Sequence, residues 1–332
     1  MTIIKALIDG VWHGEIEDTP DLRAAFARHQ GRFRRWVTPD GGSGFPAEAG
    51  RYRLYACYAC PWAHRTILYR KLKGLESIIG ISVLHPRWGG PNGWRFGDTD
   101  MSTVDHAGGR RYLHEVYATA ASDYSGRVTV PVLWDEARDT IVSNESADII
   151  RMLNAAFDGV GGDPTVDFYP APLRDAIDRL NGFLLPNVCA GVYRAGFARS
   201  QVAYDRAVGN LFASLDELEE RLGDGRPYLL GERVTESDWH LFTCLCRFDA
   251  VYHGALRCNL RRLIDYPRLC AYARRLHEMP GVAETVHLDH IKRHYYDRLP
   301  EVDLTIIPAG PAIHYCCALG PNTGRTALGL AA

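Results

Sequence analysis

The hydrophobic pattern falls into two halves of different character. In the first, Tyr52, Leu54 and Ala56 alternate with Arg53 and Tyr55, a weak period of two that predicts a strand. A helical pattern follows over Ala63 to Leu72, with Ile67, Leu68 and Leu72 on one apolar side and Gly74 as its stop. Ile78 to Leu84 is rich in β-branched residues and reads as a second strand. Val128 to Trp134 approaches a third, with Pro131 near its start, and Thr140 to Ser143 makes a short fourth. Glu145 to Leu153 returns to helical spacing. Between them, His85 to Ser125 loses its pattern among six glycines. That length suggests a functional insertion with short helices of its own, Tyr112 to Ala121 being one. Residues 1 to 50 show little periodicity. Phe33, Trp36 and Val37 are candidate anchors of an extended arm, with turns at Pro39 to Gly42 and at Gly44.

The second half is helical. Gly159 to Pro172 reads as a linker rich in Gly, Asp and Pro. Helices are expected over Pro172 to Leu185, Gln201 to Leu222, Asp238 to Val251, Pro267 to Met279 and Glu284 to Tyr296. Leu211, Leu215, Leu218 and Leu222 give the second its amphipathic face. The third is nearly continuous apolar and suits the centre of its domain, capped by Thr235 or Ser237. Residues 301 to 332 lack periodicity and read as a mobile, extended tail. The expected fold class is an α/β thioredoxin-like N-terminal domain followed by an all-α C-terminal domain. Its parts are an arm over 1–45, a thioredoxin-like domain over 46–158 with an insertion at 86–125, a linker over 159–172, a helical domain over 173–300 and the tail.

Composition narrows the function classes. The 332 residues are 46% hydrophobic and 23% charged, a globular balance. A net charge of -2 implies no broad attraction to nucleic acid or to an anionic membrane. No window approaches a membrane span, and Met1 to Glu15 lacks the apolar core of a secretory signal. The nine cysteines are odd in number and lie mostly in helical patterns. Thiols in a reducing, cytoplasmic compartment are expected rather than a disulfide scaffold. Cys244 and Cys246 stand two apart on a helix, which points them in different directions and argues against a zinc pair. No metal is expected.

The chemistry concentrates at Cys60. Pro61 suits the first turn of a helix, so Cys60 falls at the N-cap, where the dipole and open N–H groups favour a thiolate. His64 and Arg65 add positive charge within one turn. A buried cysteine is more often an inert small hydrophobe; strand, Cys, Pro and helix together favour thiol transfer. Pro131, lacking an N–H, cannot serve a central ladder. A cis bond there would turn the Val130 backbone groups outward, open to a peptide ligand. Glu145 and Ser146 start a helix and suit either an ammonium and a carboxylate or a plain helix-start role.

Seven motifs carry a resemblance. They are Cys60 to Arg65, Asn92 to Trp94, Asp123 to Asp135, Ser143 to Ile150, Gly191 to Ala198, Arg247 to Gly254, and His290 to Tyr296. In this order, and from about Phe33 to about Pro311, the chain resembles the glutathionyl-hydroquinone reductases, the xi-class glutathione transferases. The resemblance implies glutathione as co-substrate, glutathionyl-hydroquinones as substrates, and a homodimer built chiefly through the helical domain. It implies Cys60 as nucleophile, with Tyr193 and Tyr296 facing the aromatic substrate and Tyr252, Tyr295 and His290 nearby. Trp94, Arg127, Val130, Pro131, Glu145 and Ser146 would hold the tripeptide. Most of the 17 tyrosines must simply pack helices. Two departures stand out. Cys57 makes a Cys-x-x-Cys spacing that copies thioredoxin only superficially, because here the second cysteine precedes proline. The tail after Pro311 lies outside the pattern.

Two other functions compete. Ordinary transferase chemistry needs a hydroxyl donor for the glutathione thiolate, and a cysteine at that place argues against it. A non-catalytic helper domain would not need Cys60, Arg127, Glu145 and Ser146 together.

Overall fold

The computed structural model describes residues 3–29, 31–88 and 90–297. The chain divides into two compact units, Met1–Val166 and Asp167–Ala332. The tail expected over 301–332 lies outside the described residues, as do Cys316 and Cys317.

The first unit opens differently from the expected arm. Strands β1 (Ile3–Ile8) and β2 (Val11–Glu17) form an antiparallel hairpin, and α1 (Pro20–Arg28) follows. The turn is Asp9-Gly10, both at positive φ of 47° and 76°, the two-residue geometry that Asp-Gly favours. A register shift between Ile4 and Ala6 brings Ala6 and Leu7 both into the core, which breaks the period of two that would have marked the strand. Thr19 caps α1, its hydroxyl accepting from the Leu22 N–H at 3.2 Å.

The central sheet has four strands: β3 (Tyr52–Ala56), β4 (Ile79–Val83), β5 (Val132–Asp135) and β6 (Thr140–Ser143), in the order β4-β3-β5-β6. β4 runs parallel to β3; β5 is antiparallel to both β3 and β6. Helix α2 (Pro61–Leu72) joins the parallel pair and packs on α4 (Ser146–Ala155), while α3 (Leu113–Ala120) is the one helix of the insertion among the described residues. β5 begins at Val132, not Val128, because Pro131 offers no N–H to the ladder; the Val130–Pro131 bond is cis. A later part of the arm extends the sheet edge. Arg34 bridges Ser143, and the Arg35 N–H donates to the Val142 carbonyl at 3.0 Å.

The second unit is helical: α5 (Arg174–Leu184), α6 (Gly191–Gly196), α7 (Gln201–Arg221), α8 (Glu236–Arg247), α9 (His253–Ala255), α10 (Pro267–His277) and α11 (Leu288–Tyr296). Every residue of α8 is buried, as expected for a central helix. Thr235, not Ser237, caps it. The Asp238 carboxylate accepts from the Thr235 N–H (2.7 Å), the Leu229 N–H (2.9 Å) and the Tyr272 hydroxyl (2.9 Å), tying three segments together. After Arg247 the chain does not continue as α-helix to Val251. It widens into a π-helical turn, Phe248–Tyr252, a distortion frequent at functional sites.

Candidate active site

Cys60 is the N-cap residue of α2, with extended backbone (φ -79°, ψ 122°) and Pro61 at the first helical position. Its N–H donates to the Cys57 carbonyl at 3.1 Å, and its carbonyl accepts from the His64 N–H at 2.9 Å. The sulfur therefore stands at the positive end of a twelve-residue helix. It is half-exposed and lies 3.8 Å from the Val130 carbonyl oxygen, just before the cis proline. The Val130 N–H makes no hydrogen bond among the described residues. A strand-like ligand backbone can use both groups.

Positive charge gathers at the start of α4. The buried Arg65 guanidinium donates to the Ser146 hydroxyl at 2.5 Å and stacks over Trp62 with its centre 4.8 Å from the ring. Glu145 is the N-cap of α4; its carboxylate accepts from the Ala147 N–H at 3.1 Å. Arg127 is exposed; its carbonyl accepts from the Tyr124 hydroxyl at 3.2 Å, and its guanidinium makes no ion pair or hydrogen bond among the described residues. Together with Thr129, Asn144 and Glu145 it lines a cavity of about 560 Å³, closed on its other side by α1 and by Phe33 and Arg34 of the arm. Trp94, half-buried in the insertion, lies 6.0 Å from Trp88 ring to ring. The first unit thus brings Cys60 to Val130 and Pro131, and Arg127 to Glu145.

The second unit gathers tyrosines. The Tyr193 hydroxyl on α6 is 2.5 Å from that of Tyr295 on α11, and Tyr295 is 3.5 Å from Tyr252 on the π-helical turn. Tyr252 is fully buried, and burial pushes its phenol well above the ordinary range; it is therefore a neutral donor at physiological pH. Tyr193 is half-buried. Tyr296 stands apart from the trio. Its hydroxyl faces the Ala250 carbonyl at 3.5 Å, with its pKa raised by burial. His290 is buried on the same helix. The fully buried Arg247 was absent from the expected site; its guanidinium donates to the Thr243 carbonyl at 2.6 Å. Its place in the Arg247 to Gly254 motif was the only sequence signal for it.

Family models for the glutathione S-transferase N-terminal and C-terminal domains match residues 59–156 and 201–275. The chain is 49% identical to the glutathionyl-hydroquinone reductase YqjG of Escherichia coli K12, covering 92% of this chain and 94% of that protein. The glutathione-bound structure of YqjG superposes with a TM-score of 0.83 at 46% identity, over 92% of this chain and 95% of that one. A xi-class glutathione transferase from Natrialba magadii superposes at 0.87 with 44% identity, over 94% and 95%. The chain belongs to the glutathionyl-hydroquinone reductases.

Within this xi-class reductase, no group of three or more His, Cys, Asp or Glu that could hold a metal occurs among the described residues. None of their helices is long and apolar enough to cross a membrane. The seven cysteines described are thiols. Cys57 follows the last residue of β3 and has no exposed surface, so a bystander role suits it better than resolution of a disulfide at Cys60. Cys57→Ser is expected to keep turnover within about threefold, with the same dependence on glutathione concentration. Loss of most activity together with a trapped Cys60–glutathione adduct in that variant would make Cys57 a resolving thiol.

Proposed function

We propose the route by which this glutathione-dependent reductase turns glutathionyl-hydroquinones into hydroquinones. The Cys60 thiolate attacks the glutathione sulfur of the substrate thioether. The substrate reacts as its keto tautomer, in which the ring carbon bearing sulfur has already taken a proton; as the carbon–sulfur bond breaks, its electron pair passes into the adjacent carbonyl, whose oxygen takes a proton to give the aromatic hydroquinone. A Cys60–glutathione disulfide remains. The thiolate of a second glutathione attacks this disulfide, releasing glutathione disulfide and restoring Cys60. One hydroquinone leaves reduced by two electrons, and two sulfurs end oxidised as a disulfide.

The observation that carries the reading is a half-exposed cysteine sulfur at a helix N-terminus, beside an open strand-like backbone at Val130. The dipole favours the thiolate, and the Val130 backbone suits the cysteinyl part of a tripeptide ahead of Pro131. Glu145 takes the γ-glutamyl ammonium, while Ser146, with Arg65 behind it, takes the γ-glutamyl carboxylate. Trp94 and Arg127 flank the tripeptide, Arg127 offering a fork to a carboxylate. Tyr193 and Tyr296 serve the quinol ring as donors, with Tyr252, Tyr295 and His290 lining it. An ordinary transferase role is disfavoured because a protein thiolate at Cys60 repels the glutathione thiolate.

The enzyme is proposed to act in the cytoplasm as a homodimer; sedimentation at the mass of a single chain would refute the dimer. The proposed chemistry is tested by mass spectrometry of the enzyme after substrate and before added glutathione. A glutathione adduct is expected on the peptide holding Cys60. An adduct confined to another cysteine overturns the mechanism.

A further inference from the structure

We infer that Tyr117 is a positioning residue that holds the two walls of the glutathione cleft in register through its phenolic hydroxyl. This rests on the assignment of Val130 and Glu145 to glutathione. Tyr117 lies on α3, fully buried, twelve residues before Thr129 and twenty-seven before Asn144. Its hydroxyl donates to the Thr129 carbonyl at 2.9 Å. It accepts from the Asn144 side-chain amide at 3.1 Å and from the Thr129 N–H at 3.4 Å. One donor and two acceptor sites are all a phenol has, and all are engaged. Burial raises its pKa, so the proton stays in place.

The two partners are immediate chain neighbours of the assigned ligand contacts. Thr129 precedes Val130 and the cis bond to Pro131; Asn144 precedes Glu145 and the start of α4. Neither wall is regular structure at that point, since Thr129 precedes β5 and Asn144 lies between β6 and α4. The hydroxyl is thus a direct side-chain link between them. Around it the arm closes the network. The Phe33 ring meets Tyr117 edge-on at 5.6 Å, and the Phe33 carbonyl accepts from the Asn144 N–H at 3.3 Å. Buried networks of this kind fix geometry when every member is satisfied.

Tyr117→Phe removes the hydroxyl and keeps the ring. The expected result is a KM for glutathione raised about tenfold with kcat lowered less than threefold. The rate of Cys60 alkylation by iodoacetamide should stay within twofold, since Cys60 is held by α2. Asn144→Ala reaches the same hydroxyl from the other wall and is expected to raise KM similarly. The double variant should be no worse than about the poorer single one, because both act through one link. Should Tyr117→Phe not fold, Asn144→Ala decides on the same KM criterion. Glu145→Gln is measured in parallel. A raised KM in Glu145→Gln with an unchanged KM in Tyr117→Phe overturns the role of Tyr117 alone, as do equal losses of kcat and alkylation rate. An unchanged KM in Glu145→Gln removes the assignment of the cleft to glutathione and the positioning role with it.

Discussion

Cys60→Ser is expected to lower hydroquinone release by at least about 10³-fold while glutathione affinity stays within about threefold. The physical basis is the difference between a thiolate and a hydroxyl at a helix N-terminus. The dipole worth about 1 kcal/mol to an anion assists a thiol with a pKa near 8.5. It leaves serine, a far weaker acid, protonated. The loss should therefore fall on the step that forms the sulfur–sulfur bond. Binding should survive, because the groups assigned to the tripeptide are the Val130 backbone and the residues around Glu145. The Cys60 sulfur itself stands a long 3.8 Å from the Val130 carbonyl. Steady-state release of hydroquinone and calorimetric titration with glutathione separate the two effects. Residual turnover above a few per cent would show that another group performs the attack; a large loss of affinity would show that the thiol is needed to seat the tripeptide.

Tyr193→Phe should lower turnover of the glutathionyl-hydroquinone by about 10²-fold, the range of a lost general acid. Formation of the Cys60 adduct from glutathione disulfide should change less than threefold. The tyrosine trio motivates the asymmetry. Tyr193 is half-buried, and its hydroxyl meets Tyr295 at 2.5 Å, with Tyr252 behind at 3.5 Å. Two buried neutral phenols can polarise the outer one, so that a proton passes toward a quinol ring and is replaced along the chain. Glutathione disulfide needs no proton at carbon, so its reaction bypasses the trio. Tyr296→Phe should give a smaller loss, about tenfold, since its hydroxyl faces the Ala250 carbonyl outside the trio. Equal losses with both substrates would reduce the tyrosines to helix packing.

Several parts of this molecule were legible from local chemistry. Tyr52 to Ala56 alternates, and Pro61 then fixes a helix start, so Cys60 is at its N-cap wherever the domain packs. The nearly continuous apolar character after Asp238 marks the buried α8. The opening hairpin carried a local signal too, Asp9-Gly10, but the register shift beside Ala6 obscured the alternation around it. The π-helical turn after Arg247 left no trace in spacing, because helix periodicity does not reveal one extra residue in a turn.

The division follows from the range of the forces. Sequence by itself determined what depends on near neighbours: the β-α-β order, the helix start at Cys60, the proline that keeps Val130 out of the ladder, and the run of helices after the linker. Only the tertiary structure decided what depends on residues far apart. It drew Tyr193, Tyr252 and Tyr295 together from three helical segments. It set Arg65 against Ser146, 81 residues away. It also gave one tyrosine among 17, Tyr117, the link between Thr129 and Asn144. A phenol has the same local propensity in a core as at a site. Its partners are chosen by packing and by the cost of leaving a buried hydroxyl unsatisfied, and neither is written in the spacing of the chain.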